Sequence, residues 1–270
     1  TGSANAGIAF VSKAVDTRYL AQEDTVRTLN GAAQLAVAAG VQATTLQTSE
    51  TVNRVLWEHL SLTGEADPGE NTTLGGKGVS LWANLLYRDS DSSGLRAGLF
   101  SADYKNDFGG LLVGADVTGE GPDTQRYRVG GAVNVGKGNS HSRGDFSPSR
   151  NDYDSYGLSA YGTWRQGDTQ LMADLGYQKS DNELKQDVPA ALGGKLEADV
   201  AGRVWTVGAR GEHRYPTDIV DVTPHVGARY LRIKPDAFTT HNREGNVFHT
   251  AKDTRNLWQL PIGITLSRNY

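Results

Sequence analysis

The chain contains 270 residues, including 33 glycines, 8 prolines and no cysteine, and its formal net charge is −4 at pH 7. This charge offers no basic field to nucleic acid, so a nucleic-acid partner is not expected. No stretch approaches the ~20 consecutive apolar residues that a membrane-spanning helix requires. The lack of cysteine suits a protein that crosses an oxidising compartment, because stray thiols would oxidise there.

The N-terminal segment, residues 1–63, is predicted to be largely helical. Residues 12–39 are rich in Ala, Leu, Gln and Glu, which are good helix formers. Gly40 interrupts this pattern, and residues 45–62 resume it with an apolar stripe at helical spacing that consists of Val52, Val55, Leu56 and Leu60. Residues 64–78 combine Gly, Pro, Asp and Asn, and this composition predicts a flexible linker.

From residue 79 to residue 270, the period of the apolar pattern changes from that of a helix to two residues, which predicts β-strands. In each strand one face is apolar, and the other carries Gly, Ser, Thr and charged residues. In the first strand, for example, Leu81 and Leu85 share a face that excludes Ser80 and Asn84. The predicted strands lie near residues 79–88, 108–118, 125–137, 152–165, 169–179, 200–214, 219–233 and 256–268.

Two features favour strands that cross a membrane over strands of a soluble sandwich. The first is that many apolar faces end in an aromatic residue, as in the girdles of membrane barrels; these residues are Tyr127, Tyr156, Trp164, Tyr177, Trp205, Tyr230 and Trp258. The second is that long connections (89–107, 138–151, 180–199 and 234–255) alternate with short ones. Outer-membrane barrels alternate in this way, with the long loops outside the cell, whereas Greek-key crossings do not impose it.

The predicted fold is therefore all-β with an N-terminal helix, an antiparallel transmembrane β-barrel over residues 79–270. In hydrocarbon every backbone N–H and C=O group must be paired, so such a sheet has to close. A barrel of only eight strands is filled by its own side chains and leaves little room for a helix. The eight strands are accordingly expected to belong to a larger set.

The ordered series LWANLLY, NDFGGLLVGADV, RYRVGGAVNVGKGNSHSRGDF, YGLSAYGTW, VWTVGARGEHRY and LWQLPIGITLSRN resembles the translocator β-domain of type V autotransporters. The resemblance extends from about residue 12 to residue 270. It implies a barrel of about twelve strands in the Gram-negative outer membrane, with a helix inside the pore and about four strands beyond those present here. The end of the chain departs from the family pattern, because Ser267, Arg268 and Asn269 do not continue the alternation.

The same resemblance implies a function. The domain would anchor an N-terminal passenger, which residues 1–63 would join to the barrel, and would assist its export to the cell surface. The implied partners are outer-membrane lipid, the barrel-assembly machinery and the passenger itself. Neither enzymatic activity nor a cofactor is expected.

Charged residues on the predicted inner faces are candidates for lining the pore. These residues are Asp116, Arg126, Arg128, Asp174, Arg210, Glu212 and Arg229. Glu50, Arg54 and Glu58 of the helix are candidates to pair with them, because an unpaired charge in a confined lumen is costly. The alternative is that the strand charges only hydrate the pore.

Three other interpretations stay open. An adhesin would act through its long loops, and the 138–151 loop contains the tripeptide Arg143-Gly144-Asp145. A hydrolase or protease at the barrel rim would use His and Asp residues such as His141, Asp145 and Asp152, although no pair of His residues has metal-ligand spacing and no catalytic set stands out. A soluble β-solenoid is disfavoured, because the spacing of strands and turns is too uneven for a repeat.

Overall fold

The computed structural model describes residues 44–62, 71–73, 79–97, 100–144, 149–187, 195–242, 245–250 and 254–267. Residues 44–60 form a helix, α1. The strands are β1 (Asn71–Thr73), β2 (Val79–Ala97), β3 (Phe100–Glu120), β4 (Arg126–Gly144), β5 (Ser149–Gln166), β6 (Thr169–Asp187), β7 (Lys195–His213), β8 (Asp221–Pro235), β9 (Phe238–Asn242), β10 (Gly245–Thr250), β11 (Arg255–Gln259) and β12 (Ile262–Ser267). The helix predicted over 12–39 lies outside the described residues. Among the described residues, no helix is long and apolar enough to cross a lipid bilayer.

All strands belong to one antiparallel sheet in which β2 to β8 follow one another in chain order, with β1 beside β2 and β11 beside β8. Strand β12 continues β11 along β8 in the same register. The two are separate because Pro261 lacks an N–H group: Gly227 donates its N–H to the Pro261 carbonyl at 2.9 Å, but no bond can return. The eight predicted strands are thus confirmed, with β11 and β12 together forming the eighth.

The long strands extend well beyond the predicted bounds. Strands β2 to β7 have 18 to 21 residues, about twice the ~9–11 needed to cross a bilayer. Most of the predicted long loops at 89–107, 138–151 and 180–199 are therefore paired strand; β2 continues to Ala97 and β3 begins at Phe100. The predicted loop 234–255 likewise contains the paired strands β9 and β10. The prediction of loops was wrong there because these stretches are rich in Asp, Ser, Asn, Gly and Lys and show no clear period of two.

The short connections lie together at the opposite end of the sheet. A two-residue turn, Gly167 and Asp168, joins β5 to β6, and Gly167 adopts a φ of +56°, which favours glycine. A 3-10 turn at Pro122–Thr124 joins β3 to β4. Residues 214–220 join β7 to β8. This end is called the turn end below, and the other, which carries the long hairpins, is called the hairpin end.

The two faces of the sheet have the predicted composition. Apolar side chains on the outer face are exposed, among them Leu85 at 80%, Val129 at 61% and Leu158 at 59%. Their neighbours on the inner face are buried, among them Leu86 at 2% and Leu112 at 0%. The oily side chains of the strands thus point away from the protein, as a lipid-facing surface requires.

Helix α1 packs on the inner face of the sheet. Its predicted stripe is buried in an apolar cluster that consists of Val52, Val55, Leu56, Leu60, Trp82, Leu86, Phe108, Leu112, Ala132, Tyr153, Tyr161 and Met172. Strands from β2 to β6 contribute to this cluster, so the sheet curves around the helix. In the predicted 64–78 linker, Asn71–Thr73 form β1, which pairs with Ser80–Trp82 of β2; the remaining linker residues lie outside the described part of the chain.

Among the described residues, the edge strands β1 and β12 are not paired with each other, so the sheet is open. Glu50 of α1 nevertheless contacts strands near both edges. Its carboxylate lies 3.4 Å from Arg88 Nη1 of β2 and accepts a hydrogen bond of 2.7 Å from Gln259 Nε2 of β11. A closed barrel of eight strands was expected to leave little room for a helix. In the open sheet, α1 has this room and reaches strands near both edges.

Candidate functional site

The orientation of α1 inside the sheet is fixed by contacts at its two ends. Near its N-terminal end, Thr44 donates to Asn182 at 3.2 Å, and the hydroxyls of Thr45 and Ser180 are 2.7 Å apart. Both partners lie in the part of β6 nearer the hairpin end. At the C-terminal end, Gln170, two residues from a turn, donates to the carbonyl of Leu60. The helix therefore runs from the hairpin end toward the turn end.

Trp57 is the central contact between α1 and the charged part of the lumen. Its indole Nε1 donates to Asp174 Oδ1 at 2.6 Å. Arg229 donates to the same carboxylate through both terminal nitrogens, at 2.7 and 2.8 Å, and its guanidinium lies 4.4 Å from the Trp57 ring centre. The Arg229 and Asp174 side chains are only 4% and 1% exposed. This fork geometry satisfies a charge pair that is enclosed by protein, and the indole fixes the helix to it.

A second carboxylate, Glu212, holds the chain where α1 ends. It accepts hydrogen bonds from the Ser61 hydroxyl at 3.0 Å and from the Leu62 backbone N–H at 2.8 Å. Gln170 and Arg210 also donate to it, at 3.1 and 3.4 Å. A buried carboxylate needs several donors of this kind, and here two of the four come from the segment that follows the helix.

Inward-facing glycines let side chains meet although they lie two strands apart. Asp174, Gly208 and Arg229 are consecutive cross-strand neighbours on β6, β7 and β8. A Cβ atom on Gly208 would lie 2.6 Å from Arg229 and 2.9 Å from Asp174, so any other residue would obstruct their pair. Gly227 likewise leaves space for the helix, because a Cβ atom added there would lie 3.2 Å from the Trp57 ring.

The lumen side of β2 to β5 has a different chemistry. Trp82 donates to the Tyr161 hydroxyl at 2.8 Å, and Tyr161 donates to Asp116 at 2.8 Å across Gly130. His59 of α1 stacks on Trp82 with ring centres 4.0 Å apart. Arg128 lies 3.7 Å from Asp116 and completes this group. In this part of the lumen, the contacts are mainly between aromatic rings, and the Asp116 carboxylate accepts the hydrogen bond at the end of the chain from Trp82 through Tyr161.

The structure changes the predicted pairing of the helix charges. Arg54 and Glu58 pair with each other at 3.1 Å, and their side chains are 55% and 61% exposed. They do not pair with the strand charges among the described residues. Glu50, Arg54 and Glu58 recur every four residues on one face of α1. Within the described residues, Glu50 hydrogen-bonds to Arg88 and Gln259 of the strands, whereas Arg54 and Glu58 bond to each other.

The predicted strand charges are also placed unequally. Four of them are buried on the inner face: Asp116, Asp174, Glu212 and Arg229. Two others, Arg128 and Arg210, are partly buried there. Arg126 shares the β4 face of Arg128, but it is exposed because it is the first residue of the strand, beside a turn.

Sequence reasoning missed the residues of α1 and of the segment after it that make buried polar contacts with the strands, among them Thr45, Trp57 and Ser61. The available signal was the tryptophan, whose N–H needs a partner when it is buried. Trp57 and Asp174 are separated by 117 residues in the chain, so no local pattern connects them.

The residues considered for other chemistry do not form a recognisable reactive group. His141 lies on β4 opposite Arg150 of β5. Asp152 accepts hydrogen bonds from Asn139 and Arg150, and Asp145 lies outside the described residues. Arg143 and Gly144 of the tripeptide belong to the end of β4. Within the described ranges, no group of three or more His, Asp or Glu residues has the arrangement of a metal site.

Comparison with known proteins gives consistent matches. The family model described as the autotransporter β-domain matches residues 81–270. The translocator domain of the autotransporter NalP from Neisseria meningitidis is similar in structure, with a TM-score of 0.57 and 20% sequence identity over 82% of this chain and 72% of that chain. The β-domain of the Bordetella autotransporter BrkA has a TM-score of 0.55 and 16% identity over 72% of this chain and 73% of that chain. No curated protein sequence matches the chain.

Proposed function

Because the chain belongs to the autotransporter β-domain family, we propose that it anchors an N-terminal passenger in the outer membrane and assists the export of that passenger to the cell surface. The family consists of translocator domains of the Gram-negative outer membrane, and the chain is a component of that membrane. Its proposed partners are outer-membrane lipid, the barrel-assembly machinery and the passenger.

The observation that carries this proposal is the direction of α1. The helix enters the lumen at the hairpin end, beside Asn182 and Ser180, and ends at the turn end, beside Gln170 and Glu212. Outer-membrane barrels place their short turns in the periplasm. A passenger joined to the N-terminal side of α1 would accordingly lie outside the cell, while the strands hold it to the membrane.

The contacts of α1 support a second part of the proposal, in which the pore is obstructed after export. Trp57 is bonded to Asp174, and Ser61 and Leu62 are bonded to Glu212. Trp57 lies in the helix, and Ser61 and Leu62 follow it, so withdrawal of this segment would break all of these hydrogen bonds. It would also expose the apolar cluster that α1 buries, and both effects favour retention of the helix in the lumen.

The orientation can be tested with single cysteines, since the chain contains none of its own. Asp218→Cys places a thiol in the exposed β7–β8 connection at the turn end, and Ala237→Cys places one beyond β8 at the hairpin end. Each variant of the full-length protein also carries an epitope tag directly before Thr1. On intact cells, a membrane-impermeant maleimide is expected to label Ala237→Cys but not Asp218→Cys, and antibody is expected to detect the tag.

The cysteine-free protein with the same tag serves as the labelling control, and permeabilised cells show that both thiols are reactive. Labelling of Asp218→Cys alone on intact cells would contradict the orientation. Labelling of Ala237→Cys with a tag that is detectable only after permeabilisation would contradict export while leaving the orientation intact.

A further inference from the structure

Basic side chains form a cross-strand row on the outer face of the sheet near its hairpin end. Lys179 of β6 is the register partner of Arg203 of β7, and Arg203 is the register partner of Lys234 of β8. Arg232, which is exposed, lies two residues before Lys234 on the same face. These four residues are called the basic patch.

The basic patch borders the girdle of aromatic side chains that marks the hairpin-end limit of the lipid-facing band. Tyr177 and Trp205 pack with ring centres 4.7 Å apart, and Tyr230 and Trp258 pack at 5.0 Å. Lys179, Arg203 and Arg232 each lie two residues beyond one of these rings, which corresponds to about 7 Å along a strand. Aromatic girdles sit at the headgroup level of a membrane, so the patch lies at or just above the headgroups.

The patch contains more positive charge than its surroundings neutralise. Lys179 pairs with Asp181 at 3.0 Å, and Arg203 pairs with Asp236 at 3.1 Å. Within the part of the chain that the structure describes, Arg232 and Lys234 form no ion pair. Like charges directly opposite each other destabilise a sheet, and the charges of Lys234 and Arg232 are left over beside the two paired cations, so an external anion would be favourable here.

The other side of the sheet differs at the same level. The corresponding first charged positions beyond the lipid-facing band on β2, β3 and β5 are Asp89, Asp107 and Asp154. In this sector, Lys137 is opposite Asp154 and lies 3.3 Å from it, and Lys105 lies 3.5 Å from Asp107. Among the described residues at this level, cations in excess of their carboxylate partners therefore lie on β6, β7 and β8.

We propose that the basic patch binds the phosphate groups of a glycolipid in the outer leaflet of the membrane. The ligand chemistry is a phosphate monoester held at the membrane surface, which Arg and Lys contact through charge-assisted hydrogen bonds. The adjacent rings provide the apolar surface for the acyl chains of the same lipid. Binding at one sector would orient the barrel relative to its lipid shell.

The test compares the full-length protein in detergent with Arg232→Gln/Lys234→Gln, a variant that changes neither the lumen nor α1. Diphosphorylated lipid A is titrated, and binding is followed by the increase in the temperature at which the folded electrophoretic band is lost. The patch variant is expected to bind about tenfold more weakly than the unchanged protein. Lys105→Gln/Lys137→Gln, which removes two outer-face cations from the acidic sector, is the matched control and is expected to bind as the unchanged protein does.

Three further arms complete the test. Dephosphorylated lipid A is expected to produce a much smaller increase, because the phosphate groups supply the contacts. Inorganic phosphate at the same concentration is expected to produce none, since it lacks the acyl chains. Equal binding by the patch variant, equal loss in the control variant, or full stabilisation by inorganic phosphate would each overturn the proposal.

Discussion

The two halves of the lumen hold the same helix by different means. On β2 to β5, α1 meets mainly aliphatic and aromatic side chains, with Leu56 and Leu60 packed near Trp82, Leu86 and Leu112. On β6 to β8, it meets a charge pair and a carboxylate through Trp57, Ser61 and Leu62. The apolar half stabilises the protein through the burial of side chains. The ionic half mainly fixes the position of the helix, because the buried strand carboxylates accept all of their hydrogen bonds only when Trp57, Ser61 and Leu62 lie beside them.

The energetics of the two halves differ in kind. Removal of buried methylene groups loses transfer free energy and leaves a cavity, so the cost depends on the volume removed. Loss of one member of a buried ion pair leaves the other charge without compensation, so the cost depends on whether its partner remains. Replacing both members together is far less damaging, and the two halves can be distinguished on this basis.

The largest effect is expected from the ionic half. Asp174→Asn preserves shape but leaves the Arg229 guanidinium buried without its counter-charge, so the free energy of unfolding is expected to fall by ~3–5 kcal/mol. Urea-induced unfolding of the full-length protein in lipid vesicles measures this change. Asp174→Asn/Arg229→Gln should recover much of the loss; a double variant less stable than the single one would contradict this account.

A comparable but usually smaller loss is expected from the apolar half. Leu56 is fully buried, and Leu56→Ala should lower the free energy of unfolding by ~2–5 kcal/mol because it opens a cavity between the helix and the strands. Leu85→Ala on the lipid-facing surface removes the same atoms without a cavity. The same unfolding experiment should show the smaller loss for Leu85→Ala, and equal losses would argue against the helix packing described.

Glu212→Gln should have an intermediate effect that appears mainly at the end of α1. Hydrogen bonds to a charged group contribute ~1.5–3 kcal/mol, and the neutral amide weakens those from Ser61 and Leu62. A loosened segment is expected to raise the single-channel conductance of the protein in planar bilayers. Glu197→Gln, near the hairpin end, provides a control that should leave the conductance unchanged, and an unchanged conductance in Glu212→Gln would contradict the role of this contact.

The smallest effect is expected from the exposed helix charges. Arg54 and Glu58 form an exposed pair four residues apart, which typically contributes ~0.3–0.5 kcal/mol. Arg54→Ala should therefore change the free energy of unfolding by no more than about 0.5 kcal/mol, and the small change should shrink further at high salt. A loss of several kcal/mol would show that Arg54 has a buried partner after all.

Much of the fold was predictable because a strand repeats every two residues. The alternation of Leu81, Ala83 and Leu85 with their polar neighbours assigned each side chain to a face before any coordinates were known. The same signal failed at the hairpin end, where β2 and β3 form a long paired extension whose sequence, rich in Asp, Ser and Asn, shows no clear alternation. Composition alone could not separate such a hairpin from a loop.

The candidate site was only partly predictable. Asp174, Glu212 and Arg229 were identified as inward-facing charges from the alternation, and their burial follows from the position of α1. Of the helix charges, Glu50 pairs with Arg88 of β2 and Arg54 pairs with Glu58, which the sequence did not specify because amphipathic spacing gives a face and not a neighbour. Arg54 and Glu58 lie on the exposed face, while the neutral side chain of Trp57 makes the central polar contact.

The sequence by itself determined α1, the central part of each long strand and the faces of the side chains there, since these depend on local periods of 3.6 and 2 residues. Only the tertiary structure decided which inner side chains meet. The Asp174–Arg229 pair depends on the register of three strands and on the absence of a side chain at Gly208 between them. Such contacts join residues far apart in the chain, and their geometry exists only once the sheet has curved around the helix.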